Sequence, residues 1–340
     1  MLTREFVEAM PKVELHVHLE GATQPATLLK LAKKNGISLP ANDLEGVKNW
    51  FKFENFDQFV QVYIACIECF RSGEDIELLA EEFAREQARQ NILYTEATYT
   101  AETIFRRCGV PGDEQIEALL AGFAKVPEVK VQLILDIVRD MDVPNGEWTS
   151  ALCQKWNAKG VCAIGLSGFE GRNPVARHSA AIRDAKKAGL KVSTHAGETQ
   201  GPDSIREVLA DADPDRIGHG VRCVEDAHLV AELRTSQIHL EVNPSSNICL
   251  GGYPGLAEHP LPRMMDEGLN VSINSDDPPF FDTTLSDEYW RCAQEYEFST
   301  DTVFSLAQNA ARNAFLPDAD KKALLQEMAG RFNTLTSGLD

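Results

Sequence analysis

Two histidines lie one residue apart in residues 13–21, which read VELHVHLEG. If this segment is a β-strand, His16 and His18 project from the same face, because side chains alternate between the faces of a strand. Neutral imidazole is the commonest metal ligand in proteins, so two adjacent imidazoles are a suitable beginning for a metal site. Two unrelated core histidines would give the same short pattern, and the rest of the chain must decide between the two.

Three further segments carry the residue types that bind zinc and move protons, namely HAGE at 195–198, GHG at 218–220 and NSDDP at 274–278. Catalytic zinc takes His and carboxylate ligands and keeps a position for water, whose pKa then falls to about 7. The ligand set available here is His16, His18, His195 and one of Asp276 or Asp277. Glu198 and His219 remain as proton carriers. These residue types together predict a mononuclear zinc hydrolase.

The elements that must position these residues follow from the apolar pattern. We predict eight strands, at residues 13–17, 92–99, 131–138, 161–167, 191–196, 216–220, 237–243 and 270–275. Between them, apolar residues recur every three or four positions, which indicates helices. Eight alternations of strand and helix are typical of a (β/α)₈ TIM barrel, an α/β fold whose active site lies at the carboxyl ends of the strands. The His and carboxylate segments end the first, fifth, sixth and eighth strands.

We therefore predict one barrel domain over residues 1–340, with extra helices between the first and second strands, in residues 20 to 90. Phe56, Phe59 and Tyr63 fall on one helical face within this insertion. Such an aromatic stripe is more often core than a substrate lid, and we expect it to be core.

The composition narrows the class of protein and of partner. Lys and Arg number 33 against 52 Asp and Glu, a formal net charge of −19, which disfavours nucleic acid and anionic membranes as partners. Eight scattered cysteines do not form a disulfide scaffold, and the one close pair, Cys66-x-x-Cys69, has no second pair to complete a zinc ribbon. No signal peptide or membrane-spanning run is evident, so we expect a cytoplasmic protein with a small-molecule substrate and no nucleic acid or membrane partner.

Four segments resemble the motifs of a known family. They are PKVELHVHLEGA at 11–22, HAGE at 195–198, DRIGHG at 215–220 and SINSDDP at 272–278, and they resemble the adenosine deaminase family of the amidohydrolase barrels. The segments follow the family's order at compatible spacing, and the resemblance extends over nearly the whole chain. Each motif alone is weak, but four in order are a specific signal. The resemblance implies hydrolytic deamination of a 6-aminopurine, with one Zn²⁺ per subunit.

The resemblance also implies a role for each matching residue. The zinc ligands would be His16, His18, His195 and Asp276, with His18 also bordering the substrate. Asp276 would accept a proton from the bound water, His219 would orient that water, and Glu198 would give a proton to purine N1. Asp277 would face N7, and the backbone N–H of Gly168 would reach N3. Burial raises the pKa of a carboxyl group, so Glu198 and Asp277 can hold the protons that these contacts require.

The sequence departs from the adenosine-specific pattern at Glu20. Adenosine-specific members usually carry Asp here, where its carboxylate meets the ribose 5′-hydroxyl. With Glu20 the chain resembles adenine deaminases, whose substrate lacks the sugar, and aminodeoxyfutalosine deaminases, whose substrate is a 5′-modified nucleoside. Gly168 is retained as in the nucleoside enzymes. We expect adenosine or 2′-deoxyadenosine as the substrate, with adenine and aminodeoxyfutalosine as alternatives.

Other interpretations of the same residues stay open. A barrel hydrolase of amides, lactones or phosphoesters would often bridge two metals with a carboxylated lysine after the fourth strand, but residues 165–168 read GLSG. A catalytically inactive barrel that binds partners would not need an intact set of ligands and proton carriers. The ligands would also suit Fe²⁺ or Co²⁺. The chain lacks the His-x-Glu and Pro-Cys-x-x-Cys signature of cytidine-type zinc deaminases.

Overall fold

The structure, a computed structural model, describes residues 2–53 and 55–337. Strands form at all eight predicted positions: β1 (Lys12–His18), β2 (Ile92–Tyr99), β3 (Lys130–Val138), β4 (Val161–Ser167), β5 (Lys191–Ala196), β6 (Arg216–His219), β7 (His239–Val242) and β8 (Val271–Ile273). The last three are shorter than predicted, and left-handed backbone residues lie at or near their ends. The φ angle is 64° at His219, the last residue of β6, 55° at Gln237, two residues before β7, and 62° at Asp276, three residues after β8.

The eight strands pair in parallel and in chain order from β1 to β8. The barrel closes through the segment that follows β8, where Val17 forms a parallel bridge with Asp276. His18 donates its N–H to the Asp276 carbonyl at 2.8 Å, and Asp276 donates its N–H to the His16 carbonyl at 3.1 Å. The fold is the predicted (β/α)₈ barrel, and a predicted ligand residue is itself part of the closure.

Helices surround the barrel. They are α1 (Arg4–Ala9), α2 (Pro25–Asn35), α3 (Leu44–Trp50), α4 (Phe56–Ile67), α5 (Gly73–Arg89), α6 (Ala101–Cys108), α7 (Gly112–Ala124), α8 (Val143–Trp156), α9 (Ser179–Lys187), α10 (Pro202–Asp211), α11 (Ala227–Ser236), α12 (Pro244–Cys249), α13 (Leu261–Asp266), α14 (Leu285–Glu295), α15 (Thr300–Asn313) and α16 (Asp318–Ser337). Short 3₁₀ helices occupy Val175–Arg177, Val221–Glu225 and Leu256–Glu258. Four helices, α2 to α5, lie between β1 and β2, as predicted for the insertion.

The sequence of α5 shows how a helix of this insertion is specified. Ser72 caps its first turn by accepting the N–H of Asp75 at 3.4 Å. Ile76, Leu79 and Phe83 recur every three or four residues and are buried on one face. Burying each of these side chains stabilises the fold by about 1.5–3 kcal/mol.

A cluster of buried charged residues lies inside the barrel. Arg216 on β6 contacts Glu96 Oε2 through Nη1 at 2.6 Å and Glu241 Oε1 through Nε at 2.5 Å. The guanidinium also lies over the ring of Phe315, 3.6 Å from its centroid. Burial raises the pKa of Glu241, but Arg216 and His16 together lower it to about 2. Glu241 is therefore a fixed anion at this level of the barrel.

The described part of the chain contains no helix long and apolar enough to cross a membrane. All eight cysteines are free thiols. Burial raises the pKa of Cys66 well above its usual value, so this thiol stays protonated.

Candidate active site

The predicted ligand residues meet at the carboxyl ends of the strands. His16 and His18 project from β1 and His195 from β5, while Asp276 follows β8. His18 Nε2 lies 3.0 Å from His195 Nε2. Asp276 Oδ1 lies 3.4 Å from His16 Nε2 and 3.3 Å from His18 Nε2. All four residues are buried, so their donor atoms face one another rather than solvent.

The chemistry of these donors fits a metal ion. Two groups of ligand atoms lie within 4.8 Å of one another, one from His16, His195, His219 and Asp276 and the other from His18, Asp276 and Asp277. Glu241 Oε2 contacts His16 Nδ1 at 2.8 Å, which leaves Nε2 facing the site without a hydrogen-bond partner among the described residues. A carboxylate behind a histidine ligand is the usual support of metal sites. Burial lowers the pKa of His16, but Asp276 and Glu241 raise it to about 10, and a metal at Nε2 would displace that proton.

Three buried carboxyl groups beside these donors differ in charge. Burial raises the pKa of Glu198 well above its usual value, and the charge of Asp276 raises it further. The same two causes raise the pKa of Asp277. Burial opposes ionisation of Asp276 as well, but the neighbouring imidazoles, His16 first, hold its pKa well below the usual value. One ionised carboxylate thus stands beside two carboxyl groups that keep their protons at neutral pH.

His219 ends β6 in the left-handed backbone region, with φ 64°. Such a conformation is uncommon for a residue with a side chain and clusters at functional sites. Its Nε2 lies 3.8 Å from Glu198 Oε1 and 3.8 Å from Asp276 Oδ2. Burial lowers the pKa of His219 to about 3, so the ring is neutral. The structure therefore brings both predicted proton carriers and the predicted carboxylate ligand around one point.

A buried carboxylate holds the loop that carries Glu198. Glu170, just after β4, accepts the backbone N–H of Gly197 at 2.8 Å, of Glu198 at 3.0 Å and of Thr199 at 2.8 Å. The hydroxyl of Ser204 in α10 donates to the same group. Burial opposes ionisation of Glu170, but these donors lower its pKa, so the group is an anion. The backbone around Glu198 is held by four successive amides, the fourth being the N–H of Gln200 at 3.4 Å.

Arg139, just after β3, supports the same loop on its other side. Its Nη2 donates to the carbonyl of His195 at 2.8 Å, and the whole side chain is buried. The positive charge of Arg139 also lowers the pKa of Glu170. A buried cation and a buried anion thus clamp the two ends of the segment from His195 onward.

Of the two residues Gly168 and Glu20, both predicted to contact the substrate, only Gly168 lines the cavity. Gly168 has φ 97° and lines the cavity above the donors. Glu20 is buried behind the wall, where its carboxylate accepts the N–H of Thr100 at 2.7 Å, the Thr100 hydroxyl, and the Tyr63 hydroxyl at 3.2 Å. Thr100 and Tyr63 line the cavity themselves. Glu20 therefore shapes the wall through them, and its direct contact with a substrate stays a prediction.

The cavity has a volume of about 350 Å³. Its lining includes His18, His195, Glu198, Gly168, His219, Asp276 and Asp277. The aromatic stripe of α4, which the sequence favoured as core, lines the cavity as well. The Phe56 ring meets the Phe169 ring at 4.9 Å, and the Phe59 ring stacks on the Phe281 ring at 5.7 Å. The expectation was wrong in part because α4 packs over the mouth of the barrel rather than against its outer wall.

Comparisons with known proteins agree with this geometry. The adenosine deaminase family model matches residues 11–330. An adenine deaminase of Zymomonas mobilis is 33% identical over 94% of this chain and 96% of its own length. An aminodeoxyfutalosine deaminase of Streptomyces avermitilis is 34% identical over 95% of this chain and 91% of its own length. The crystal structure of an adenine deaminase from Arthrobacter aurescens superposes with a TM-score of 0.87 at 31% identity, over 94% of this chain and 98% of that chain.

A parallel barrel with a His and Asp donor set at its carboxyl-end mouth defines the class of amidohydrolase-type hydrolases. Within that class, the chain belongs to the adenosine deaminase family.

The sequence did not reveal the buried charged residues that hold the predicted site residues in place. Glu241, Glu170 and Arg139 contact His16, the Glu198 loop and His195, yet none of them was singled out. The available signal was a charge within or just after an apolar strand, since a buried charge requires a partner. Glu241 stands between Leu240 and Val242 in β7, where that signal is clearest.

Proposed function

We propose that this protein hydrolyses the 6-amino group of adenosine or 2′-deoxyadenosine, giving inosine or 2′-deoxyinosine and ammonia, with zinc as its metal. The observation that carries the proposal is the arrangement of three carboxyl groups in one cavity. The ionised Asp276 lies in a His and Asp donor set, beside the protonated Glu198 and Asp277. Ester or amide hydrolysis needs no such pair of acids, whereas a purine presents ring acceptors at N1 and N7 that would each take a proton from one of them.

The residues that would hold zinc are His16, His18, His195 and Asp276. Bound zinc would lower the pKa of a water molecule to about 7 and so supply a nucleophile at neutral pH. Imidazole and carboxylate also accept Fe²⁺ and Co²⁺, and elemental analysis of the purified protein distinguishes these metals.

The residues around the donors would move the protons. As the water oxygen attacks C6, Asp276 takes a proton from it, and His219 holds the oxygen in place. The electron pair of the C6=N1 bond moves onto N1, which receives the proton of Glu198. Asp276 then passes its proton to the amino nitrogen, the bond from C6 to that nitrogen breaks, and ammonia leaves as the C6–O bond becomes a carbonyl and the remaining hydroxyl proton returns to Glu198. Asp277 would donate to N7 and the Gly168 N–H to N3, which fixes the ring during attack.

The size of the cavity favours a nucleoside over a free base. Its volume of about 350 Å³ falls in the range of sites that enclose drug-sized ligands, about 300–1,000 Å³. Beyond the donors it continues to Thr103, Arg107 and Met141. A purine base against Glu198 would leave this outer part of the cavity for a substituent at N9.

A second candidate is adenine itself, because several of the relatives that match nearly the whole chain are named adenine deaminases. A third is aminodeoxyfutalosine, named in a relative of equal identity. At Glu20 the chain resembles both the adenine deaminases and the aminodeoxyfutalosine deaminases. The carboxylate of Glu20 already accepts hydrogen bonds from Thr100 and Tyr63.

The kcat/KM values for adenosine, 2′-deoxyadenosine, adenine and aminodeoxyfutalosine decide between these substrates, measured on one zinc-quantified preparation. We expect adenosine to exceed adenine by at least about tenfold, the effect of about 1.4 kcal/mol of sugar binding in the transition state. A higher kcat/KM for adenine or aminodeoxyfutalosine would overturn the nucleoside assignment and leave purine deamination in place. Turnover of none of the four by zinc-loaded protein would overturn the proposed function.

A further inference from the structure

The ring nitrogen of His219 that faces away from the site is surrounded by amide groups. Asn247 in α12 approaches His219 Nδ1 with its Nδ2 at 3.1 Å. Asn243, the residue before α12, approaches the same nitrogen with its Nδ2 at 3.3 Å. An NH₂ group can only donate, so His219 Nδ1 must accept and carries no proton. This conclusion depends on which way each amide points, and the surrounding contacts fix both amides.

The orientation of Asn247 follows from a backbone group two contacts away. The N–H of Leu261 points to His259 Nδ1 at 3.2 Å. A backbone N–H can only donate, so His259 Nδ1 accepts, and the proton of this neutral ring lies on Nε2. His259 Nε2 lies 3.1 Å from Asn247 Oδ1, which accepts that proton. A flipped Asn247 would require a His259 ring that accepts at both nitrogens, which a neutral imidazole cannot do.

The orientation of Asn243 is fixed independently. Its Nδ2 donates to the backbone carbonyl of Glu241 at 3.0 Å. A carbonyl oxygen can only accept, so the NH₂ group of Asn243 must be the end that lies between this carbonyl and His219. Two unrelated contacts, a backbone N–H and a backbone C=O, therefore lead to the same protonation of His219.

Burial keeps water from competing with these contacts. The exposed fraction is 0% for Asn243, 2% for Asn247 and 3% for His259. Burial lowers the pKa of His259 to about 3, in keeping with the neutral ring that its contacts to Leu261 and Asn247 require. The ring of Tyr253 packs edge-on against His259 at 5.1 Å and helps to fix its plane.

We propose that Asn247 and His259 are positioning residues that hold His219 as the neutral tautomer with its proton on Nε2. That N–H points toward Glu198 and Asp276, 3.8 Å from each. A nitrogen that already carries a proton donates and does not accept. His219 therefore holds the attacking oxygen by donation and stabilises the charge that develops on it, while Asp276 alone acts as the base. This division of roles rests on the proposed deamination, but the tautomer does not.

The tautomer is read directly from ¹⁵N chemical shifts of the zinc-loaded protein labelled at histidine, because protonated and unprotonated ring nitrogens resonate far apart. The signals of His219 are assigned by their loss in His219→Asn. We expect Nδ1 of His219 at the unprotonated position and Nε2 at the protonated position, and for His259 the same pattern. A proton on His219 Nδ1 in the wild-type protein would overturn the proposal, whatever the protein's activity.

Variants test whether the chain of contacts from His259 through Asn247 to His219, here called the relay, sets the tautomer of His219. Asn247→Asp has the same shape but offers only acceptors, so it should draw a proton to His219 Nδ1. We expect kcat to fall about 10²–10³-fold, as on loss of one transition-state donor, with KM little changed and the His219 shifts moved. Ser246→Ala is the matched control, because the Ser246 hydroxyl has no hydrogen-bond partner among the described residues and the residue adjoins Asn247 in α12.

His259 provides a conservative rescue. In His259→Gln the amide can still donate to Asn247 Oδ1, whereas His259→Leu removes the donor. We expect the glutamine variant to retain the wild-type His219 shifts and most of the activity, and the leucine variant to show moved shifts and a loss of kcat smaller than in Asn247→Asp, because Asn243 still donates to Nδ1. Unchanged His219 shifts in folded, zinc-loaded Asn247→Asp and His259→Leu would overturn the relay.

Discussion

At the scale of single residues, the same side chain differs in charge between neighbouring positions. Asp276 is ionised because imidazoles outweigh its burial, whereas Asp277, the next residue, keeps its proton because burial and Asp276 act in the same direction. Environment, rather than residue type, assigns the base and the acids.

The protonation of Glu198 predicts a pH dependence. Its pKa is raised by burial and by Asp276, so the proton that N1 needs is present at neutral pH. As the pH rises through this raised pKa, the proton is lost, and kcat should fall about tenfold per pH unit beyond it. The kcat profile from neutral to alkaline pH, at saturating substrate and constant bound zinc, measures this limb. A kcat that stays level throughout would show that Glu198 is not the acid.

The ring of His16 packs against Gly218, so a substitution at Gly218 tests the placement of that ring. A Cβ at this position would lie 2.6 Å from Cε1 and 3.0 Å from Nδ1 of His16, whose ring Glu241 holds in place. We expect Gly218→Ala to displace the ring and weaken metal binding about 10–100-fold, the effect seen when a ligand loses its orientation. Competition with a chromogenic chelator measures the affinity.

The control is Gly330→Ala in α16, where nothing lies within 4 Å of the added Cβ. It should keep the wild-type zinc affinity. Equal affinities for Gly218→Ala and the control would contradict the placement of His16 in the metal site.

The sequence allowed prediction of the residues of the proposed metal site but not of the residues that support them. His16, His195 and Asp276 end predicted strands, and strand ends meet at one mouth in any such barrel. His259 lies in a loop 40 positions from His219, and only the folded chain brings Asn247 between them. Local pattern carries no information on a relay of this kind.

At the scale of elements, the loop after β5 depends on the end of β4. Glu170 accepts four successive N–H groups of that loop, from Gly197 to Gln200. In Glu170→Gln one acceptor becomes an NH₂ group that faces donors, which leaves buried N–H groups unpaired at about 1–3 kcal/mol each. We expect a lower free energy of unfolding in urea and a lower kcat with KM little changed, since Glu198 would lose its fixed backbone.

Ser204→Ala is the matched variant, because it removes one hydroxyl donor to Glu170 and leaves the backbone contacts in place. Its kcat should stay near the wild-type value. Equal losses of kcat in the two variants would contradict a positioning role for the Glu170 carboxylate.

Strand existence was predictable and strand ends were not. The apolar runs identify all eight strands, but the last three strands are shorter than these runs, and the left-handed residues His219 and Asp276 lie at or near strand ends. Backbone strain at a functional residue contradicts local propensity, and the surrounding structure must hold it. The position of α4 was not predictable either. Its apolar periodicity indicates a buried face but does not show that this face lines a cavity.

At the scale of the whole molecule, the proposed metal site joins β1 and β5, which lie on opposite sides of the barrel, through the segment that closes it. Its proposed ligands come from β1, β5 and the segment after β8 that closes the barrel. Bound metal should therefore stabilise the fold as a unit, by about 4 kcal/mol at a free concentration 1,000 times Kd.

Removing the metal with a chelator should then lower Tm by roughly 5–10 °C, and added zinc should restore both Tm and activity. Scanning calorimetry with elemental analysis of the same samples measures the shift. An unchanged Tm after verified removal of the metal would contradict a site that bridges these strands.

The central claim is that the His and Asp donor set and the acid of Glu198 act together on a 6-aminopurine. The most direct test is ammonia release, with the ultraviolet change from 6-amino- to 6-oxopurine, by the wild-type protein and Glu198→Gln at equal bound zinc. Deamination by the wild-type protein and a loss of about 10²–10⁴-fold in the variant are the predicted result. No deamination by zinc-loaded wild-type protein, or an equal rate in Glu198→Gln, would contradict the account.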